Sequence, residues 1–438
     1  MDQVGTAAIA PAEVPEAPEV RTRRGLFAHR DFRLLWAGES VSKLGSSVTS
    51  VALPLVAVVS LDAGPLAAGL LTGAVWLPWL LLGLPAGVWV GRVSRRAVMI
   101  GCNLASAALF ASVPVAGWFG VLGLAQLLAV AFLSGVASVF FDAAYQAYLP
   151  ELVRREDLVE GNAKLQGTAS AARVAGPGLA GLTVQTLGAA AGLLADAVTF
   201  LIATATLLLI RPKPGPAEAE PAGAGLVTQV REGLAFLLRD PYLRSFTLYG
   251  AAANFALTGY QSIAVLFLIR DAGVAPGWVG GLASVGALGG VLGALVARPL
   301  CRRLGMARGV RIVLLTAMPF GLLLSLARPG LGIVLYAVGS LVMVAGVVLC
   351  NVVLGSFRQS YTPPALLSRV VATSMFANHA TIPLGALAGG TLGSVLGLRA
   401  TMWAMTGLLA LCGALPLVSP LRTVRDLPTG PAGSCPRA

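Results

Sequence analysis

The chain has 438 residues, of which 56% are hydrophobic and 11% are charged, whereas about a quarter of the residues in a soluble domain are charged. Long runs without Asp, Glu, Lys or Arg account for the difference, and the longest of them covers 97–141. A helix crosses a bilayer with about 20 apolar residues, so this run alone holds two spans. The short alternating segments typical of a membrane β-barrel do not occur. The composition excludes a soluble domain and predicts an all-α membrane protein.

The hydropathy pattern predicts twelve transmembrane helices, six before and six after a polar segment at 211–241. In chain order the spans cover residues 34–60, 66–90, 97–117, 122–146, 165–187, 190–210, 246–269, 276–297, 310–327, 331–355, 370–394 and 398–419.

The formal net charge of +12 would suit a nucleic-acid partner, but the distribution of the charges argues against one. With the N-terminus inside, 26 of the 31 Lys and Arg residues fall in inward segments, three in outward loops and two within spans. This is the positive-inside bias of membrane proteins. The basic residues therefore predict an orientation in the cell membrane with both termini cytoplasmic, and no nucleic-acid partner is expected.

The polar segments divide the chain into five parts. The first lacks the basic start and apolar core of a signal peptide, and its Ala, Pro and Glu residues favour disorder. The predicted parts are a disordered cytoplasmic tail (1–30), a six-helix lobe (31–210), a cytoplasmic linker with an amphipathic helix (211–241), a second six-helix lobe (242–420) and a cytoplasmic tail (421–438).

The two lobes match each other weakly. Three pairs of like residues lie 206 positions apart in the two halves, and internal repeats are the usual plan of secondary transporters. The pairs are Gly87 with Gly293, Arg92 with Arg298, and Pro177 with Pro383.

The chain between about residues 30 and 420 resembles the major facilitator superfamily. Stretches such as "FRLLWAGESVSKLG", "YLPELVRREDLVEGNAKLQG" and "IPLGALAGGTLG" resemble the branch that contains the enterobactin exporter and macrolide-efflux proteins. The resemblance implies two pseudo-symmetric six-helix lobes that open a central site to each side of the membrane in turn.

Small residues recur every four positions on the second, fifth, eighth and eleventh spans, and such stripes let helix backbones approach closely. Helix packing alone accounts for a stripe, while the resemblance implies that these four spans line the contact between the lobes. The residues expected at this lobe interface are Gly87, Gly176, Pro177, Gly181, Gly293, Pro383 and Gly389.

The stretch "GVWVGRVSRRAVM" resembles the superfamily signature between the second and third spans. Gly87, Arg92, Arg95 and Arg96 match it, but Gly91 stands where the signature has an aspartate. The matching arginines, and Arg298 in the second half, are expected to act in gating or only to orient the chain.

Ionisable residues within a span each cost at least about 2.5–3.5 kcal/mol on insertion scales, so each needs a partner or a task. Glu39 and Lys43 are one helical turn apart and are expected either to neutralise each other or to serve transport. Asp142 and Arg173 fall at similar depth, so a salt bridge is expected between them. Asp196 is expected to carry protons or to bond a neighbouring helix. The residues assigned to the proton or substrate pathway are Glu39, Lys43, Asp142, Arg173, Asp196 and Asn254.

The stretch "AARVAGPGLAGL" resembles the fifth-helix motif of drug antiporters. Gly176, Pro177 and Gly181 match it, and Ala172 and Ala180 replace two of its glycines. The resemblance implies proton-coupled efflux of an amphipathic small molecule, with a siderophore, a macrolide-like antibiotic and another secondary metabolite left open as cargo. We expect a monomer in the lipid bilayer, with no cofactor and no metal.

Three alternatives remain. An importer or uniporter of a small metabolite would have the same fold, as would a sensor that does not transport. An enzyme or ATP-driven pump is disfavoured, because a Walker A motif needs Lys followed by Ser or Thr. Lys43, Lys164 and Lys213 precede Leu, Leu and Pro.

Overall fold

A computed structural model describes residues 26–90, 93–154, 157–211 and 234–417, with residues 422, 424 and 426–428. Gly91 and Arg92 of the signature loop lie outside the described residues, as does the start of the predicted amphipathic helix. The end of that helix is described, since residues 234–239 are helical. The described residues contain helices and no strand.

The helices of the described residues are named here in chain order. They are α1 (Arg30–Ser60), α2 (Pro65–Val90), α3 (Arg95–Trp118), α4 (Leu124–Leu152), α5 (Leu158–Leu187), α6 (Ala189–Leu209), α7 (Pro241–Arg270), α8 (Pro276–Leu304), α9 (Met306–Ala317), α10 (Leu331–Tyr361), α11 (Pro364–Val395) and α12 (Leu398–Cys412). A 3-10 helix (Met318–Gly321) and one further turn (Leu322–Ser325) continue α9.

Eleven predicted spans each lie on one of these helices, and the ninth covers α9 with the 3-10 helix and turn that continue it, which confirms the twelve-helix fold. By length and hydropathy, nine of the described helices could cross a membrane on their own; α5, α11 and the shorter α12 fall below that limit. The ninth span changes to a 3-10 helix at Met318, next to Pro319, because proline has no N–H for the helical ladder. The twelfth helix ends at Cys412 rather than at the predicted residue 419.

The two lobes share a core only at one end of the bundle. We call this the distal end, because it lies opposite the end at which α1 begins, at Arg30. The largest cluster of buried apolar side chains joins both lobes, and its first-lobe members all lie in the distal halves of their helices. Two further clusters at the proximal end belong to one lobe each. The lobes therefore share one apolar core distally, and each has a core of its own proximally.

Glycines form the contact between the lobes. There α2 packs against α11 and α5 against α8, as the resemblance implied. A Cβ atom on Gly69 of α2 would lie 2.6 Å from the carbonyl oxygen of Ala386 on α11. A Cβ atom on Gly280 of α8 would collide with the carbonyl oxygen of Pro177 and the backbone of Gly181 on α5. We call these two crossings the distal seam, where backbone meets backbone.

Three glycines predicted at the lobe interface pack inside a lobe instead. Gly176 faces Ser47 of α1, Gly293 faces the carbonyl of Ala345 on α10, and Gly389 faces the carbonyl of Gly259 on α7. A four-residue step turns about 40° around a helix, so small residues along one helix serve two neighbours in turn. Pro177, Gly181 and Pro383 do lie at the α5–α8 and α2–α11 crossings. Gly87 lies within α2, but its surroundings are outside the described residues.

Candidate functional site

A cavity of about 440 Å³ lies inside the first lobe, between α1, α2, α3, α4 and α6. Hydroxyl-bearing side chains, aromatic rings and a few charged groups all line it. Its charged and aromatic lining consists of Lys43, Trp76, Trp79, Phe110, Phe141, Asp142, Asp196 and Phe200, and its hydroxyl lining includes Ser42, Ser46, Thr49, Ser106 and Ser138.

Lys43 and Asp142 face each other across this cavity. Lys43 projects from α1 and Asp142 from α4, with Nζ 3.9 Å from Oδ1. Both side chains reach the cavity, Lys43 with 44% and Asp142 with 31% of its surface exposed. The expected pairing of Asp142 with Arg173 is therefore wrong. Equal depth in the sequence does not establish that two side chains point toward each other.

Arg173 is exposed on α5, and no ion pair is recorded for it within the described residues. Pro177, one turn further along α5, has its carbonyl against Gly280 of α8 in the distal seam. At the same crossing Gly178 lies against Ser284 of α8, where a Cβ on Gly178 would lie 3.1 Å from the serine oxygen. Arg173 lies five residues before Gly178, toward the start of α5.

Asp196 on α6 is completely buried. The hydroxyl of Thr49 on α1 donates to Oδ2 at 2.5 Å, and the hydroxyl of Thr199 donates to Oδ1 at 2.9 Å. Gly45 of α1 makes room for this group, since a Cβ there would collide with both Asp196 and Thr199. The expected hydrogen bond to a neighbouring helix is present, and it holds the carboxylate at the cavity wall.

Glu39 is also buried, with 4% of its surface exposed. It lies one helical turn from Lys43 on α1, but Lys43 comes within ion-pair distance of Asp142 instead, among the described residues. The predicted Glu39–Lys43 pair is therefore not formed as a direct contact. One lysine and three carboxylates are gathered in or beside the cavity.

Asn103 was missed by the sequence reasoning. It lies on α3, lines the cavity and has 2% of its surface exposed. Its Nδ2 atom has no hydrogen-bond partner among the described residues, although buried amide groups are ordinarily paired. The signal that could have identified Asn103 is its polar amide side chain within the uncharged run 97–141.

Aromatic rings close the cavity on the side of the second lobe. Trp76 and Trp79 of α2 line it, and the ring of His379 on α11 lies 5.9 Å and 6.1 Å from theirs. Asn254 of α7 lies nearby along α11, where its Nδ2 donates at 3.4 Å to Oδ1 of Asn378. Asn254 therefore faces a neighbouring helix of its own lobe, whereas His379 contacts the cavity wall across the lobe boundary.

Two arginines of the signature loop bind helices within the first lobe. Arg95 forms an ion pair with Glu151 of α4. Arg96 donates from Nε to the carbonyl of Leu207 and from Nη2 to that of Leu208, both at 2.9 Å, at the end of α6. Carbonyls in the last turn of a helix lack their usual i+4 partner, and Arg96 binds two of them; that of Leu207 also accepts from the N–H of Ile210 at 3.3 Å. Arg298 in the second half is exposed.

Two six-helix lobes that meet at one end, with a cavity whose wall carries Lys43, Asp142 and the buried Asp196, define a membrane transporter that acts on small molecules. The family description "Major Facilitator Superfamily" matches residues 35–386, and the chain belongs to this family.

The similarity to known relatives extends over almost the whole chain. It is 28% identical over 428 residues to the multidrug efflux pump Tap of Mycolicibacterium fortuitum, covering 94% of this chain and 99% of that protein. It is 24% identical over 397 residues to macrolide efflux protein A of Streptococcus pyogenes, covering 89% and 96%.

Solved structures of low identity share the fold. The nucleoside transporter NupG matches with a TM-score of 0.74 and 14% identity, over 90% of this chain and 99% of that one. A bacterial homologue of the iron transporter ferroportin in an inward-facing state matches with a TM-score of 0.71 and 16% identity, over 88% and 97%.

Proposed function

We propose that this protein exports an amphipathic small molecule by alternating access, driven by proton entry. The observation that carries the proposal is the first-lobe cavity, whose wall carries Asp142 and Asp196, with Glu39 buried one helical turn from the lining residue Lys43. Intramembrane carboxylates are costly, and in transporters they mark ion and substrate routes. The direction is supported by the names of the relatives, which are a multidrug and a macrolide efflux protein.

The basic residues orient the proposed cycle. If the proximal end faces the cytoplasm, as the positive-inside rule requires, the separated proximal halves form a cleft open to the cytoplasm. Cargo would enter there, and the distal seam would have to open for its release. Arg173 lies beyond the seam on α5 and would face this cleft. Asn254, which donates to Asn378 of α11, would change its position together with the second lobe.

The orientation has its own test. Cysteines introduced at positions 215 and 430 are expected to react with a membrane-impermeant maleimide only after the cells are opened, because the positive-inside rule predicts that both segments are cytoplasmic. A cysteine at Asp62, which is exposed at the distal end, serves as the control and should react in intact cells. Labelling of 215 or 430 in intact cells would contradict the orientation.

Transport is tested in inverted membrane vesicles. A proton crossing about 100 mV supplies about 2.3 kcal/mol, enough to concentrate a neutral cargo about fiftyfold. Uptake of a fluorescent amphipath should follow an imposed proton gradient and collapse with a protonophore. Uptake that requires ATP, or that runs only in right-side-out vesicles, would contradict the proposal, and the second result would favour the importer.

A further inference from the structure

An ion pair joins the two lobes at the distal end. Arg270, the last residue of α7, binds Asp62 in the turn between α1 and α2, and its Nη2 atom also donates to the carbonyl of Ala63 at 3.2 Å. Among the ion pairs formed between described residues, it is the one that crosses from lobe to lobe. The turn leads directly into α2, whose first residue, Pro65, packs against Gly393 of α11. The ion pair therefore lies at the distal margin of the contact between the lobes.

The backbone of Asp62 is unusual for its residue type. Its φ angle is 47°, in the left-handed region, and few residues other than glycine adopt that conformation. Every other described residue with a positive φ is a glycine in a turn between two helices. Glycine takes this conformation without a steric cost and commonly follows a helix end. A side chain kept at such a position points to a function, and the carboxylate of Asp62 is the group that binds Arg270.

The end of α7 is itself attached to the rest of the second lobe. Asp271, the residue after Arg270, has its Oδ2 atom 3.9 Å from Nε of Arg399 at the start of α12. The guanidinium of Arg399 also donates to the carbonyls of Ser325 and Ala327, at 3.0 and 2.9 Å, where the continuation of α9 ends. Arg399 thus ties together the distal ends of α7, α9 and α12. Arg270 extends from this group of helix ends to the first lobe.

We propose that Asp62 and Arg270 form a latch that favours the distally closed state. When the distal seam opens, the lobes separate at this end and the ion pair breaks. An exposed ion pair contributes little to stability, but a small bias is enough to shift two states that are close in free energy. The Asp62 side chain is 95% exposed, so salt in the surrounding medium weakens the latch. The inference rests on the proposed function only for the movement of the lobes, and it holds for an exporter and an importer alike.

Distances between spin labels on the two lobes test the latch. Val121→Cys and Leu331→Cys place one label on each lobe at the distal end, in a full chain whose native cysteines are replaced by alanine. Both positions are exposed, at 71% and 85%. The purified protein in lipid nanodiscs is measured by pulsed electron paramagnetic resonance, with no cargo and no gradient. The parent should show mainly the short distance of the closed state, and the ratio of long to short distances reports opening.

Removing either charge should favour the open state. Asp62→Asn and Arg270→Gln are each expected to raise the ratio of open to closed molecules by about twofold to fivefold, the range for losing an exposed ion pair. The double variant should open no further than either single variant, because both remove the same contact. Arg270→Lys keeps the charge and should stay closer to the parent. Arg328→Gln is the matched control, since this exposed distal arginine forms no ion pair with a described residue, and it should behave like the parent.

Two further measurements distinguish a latch from damage to the fold. Asp62→Gly removes the carboxylate and also relieves the backbone, so its Tm should not fall while its ratio rises as in Asp62→Asn. Salt at about 1 M, where the Debye length is about 3 Å, should raise the ratio in the parent and leave it unchanged in Arg270→Gln.

A ratio that stays at the parent value in Arg270→Gln or in Asp62→Gly overturns the inference. So does an equal response to salt in the parent and Arg270→Gln, or an equal rise in Arg328→Gln. Because the measurement uses neither cargo nor gradient, its failure leaves proton-driven efflux to be judged by the vesicle experiment.

Discussion

Replacing Gly280 with alanine is expected to lower transport by about tenfold or more while the protein still reaches the membrane. The added Cβ would collide with the carbonyl oxygen of Pro177 and the backbone of Gly181. These atoms belong to the main chain of α5 and cannot rotate away as a side chain could. Overpacking of this kind costs roughly 1–3 kcal/mol, and here the cost falls only on the state in which the distal seam is closed. The variant should therefore favour a seam that stays open.

Gly281 provides the matched control. A Cβ there meets nothing within 4 Å among the described residues, so Gly281→Ala should transport like the parent at equal abundance. Seam opening can be measured with a cysteine at Ser284, whose hydroxyl oxygen is buried at the same crossing. Labelling of this cysteine from the distal side should rise in Gly280→Ala. If both alanine variants transport equally, the seam is not a moving contact.

The sequence was sufficient to predict the number and placement of the helices, because the length of an apolar run can be read directly from consecutive residues. Every predicted span but the ninth lies on one helix of the structure. Errors occurred at helix ends, as at Cys412, where α12 stops before the apolar run does. The break after α9 also follows from a local signal, Pro319, whose effect on the helix was not anticipated.

The contacts of the charged residues could not be predicted in the same way. The depth of a residue in the membrane can be counted along its helix, and this count placed Asp142 and Arg173 at the same depth. The direction of a side chain around the helix depends on how the helices pack. That packing turned Asp142 toward Lys43 and left Arg173 exposed.

The glycine stripes did not predict correctly which glycines lie between the lobes, for a related reason. A stripe predicts that some helix approaches closely but not which one. On α11 the adjacent residues Gly389 and Gly390 face different partners: Gly389 packs on α7 of its own lobe, and Gly390 packs on Gly69 of the other lobe. Only the second contact belongs to the distal seam. Asn103 shows the reverse error, a site residue that was not predicted. Its place on the cavity wall depends on how five helices pack together.

Exchanging Asp196 for asparagine is expected to uncouple transport from the proton gradient. Asparagine has the same shape, and its carbonyl oxygen can still accept the hydroxyl of Thr49, which donates to Asp196 at 2.5 Å. What the amide cannot do is take up and release a proton. A carrier must be a titratable group that the cavity reaches; Asp196 and Asp142 are the carboxylates on its wall, and Glu39 is buried one helical turn from the lining residue Lys43. Gradient-driven export should fall by about tenfold or more, the loss of at least about 1.4 kcal/mol of coupling.

Two measurements on the same proteoliposomes distinguish uncoupling from damage. Export driven by a pH gradient reports coupling, whereas exchange of labelled for unlabelled cargo at equal pH needs only lobe movement. Asp196→Asn should lose the first and keep the second, and Asp142→Asn and Glu39→Gln are compared in the same way. Asp157→Asn, which lies outside the cavity, should keep both. If all three cavity variants retain gradient-driven export, the proton is carried by a group outside this cavity. If exchange is lost together with export, the carboxylate supports the packing of α1 against α6 instead of carrying protons.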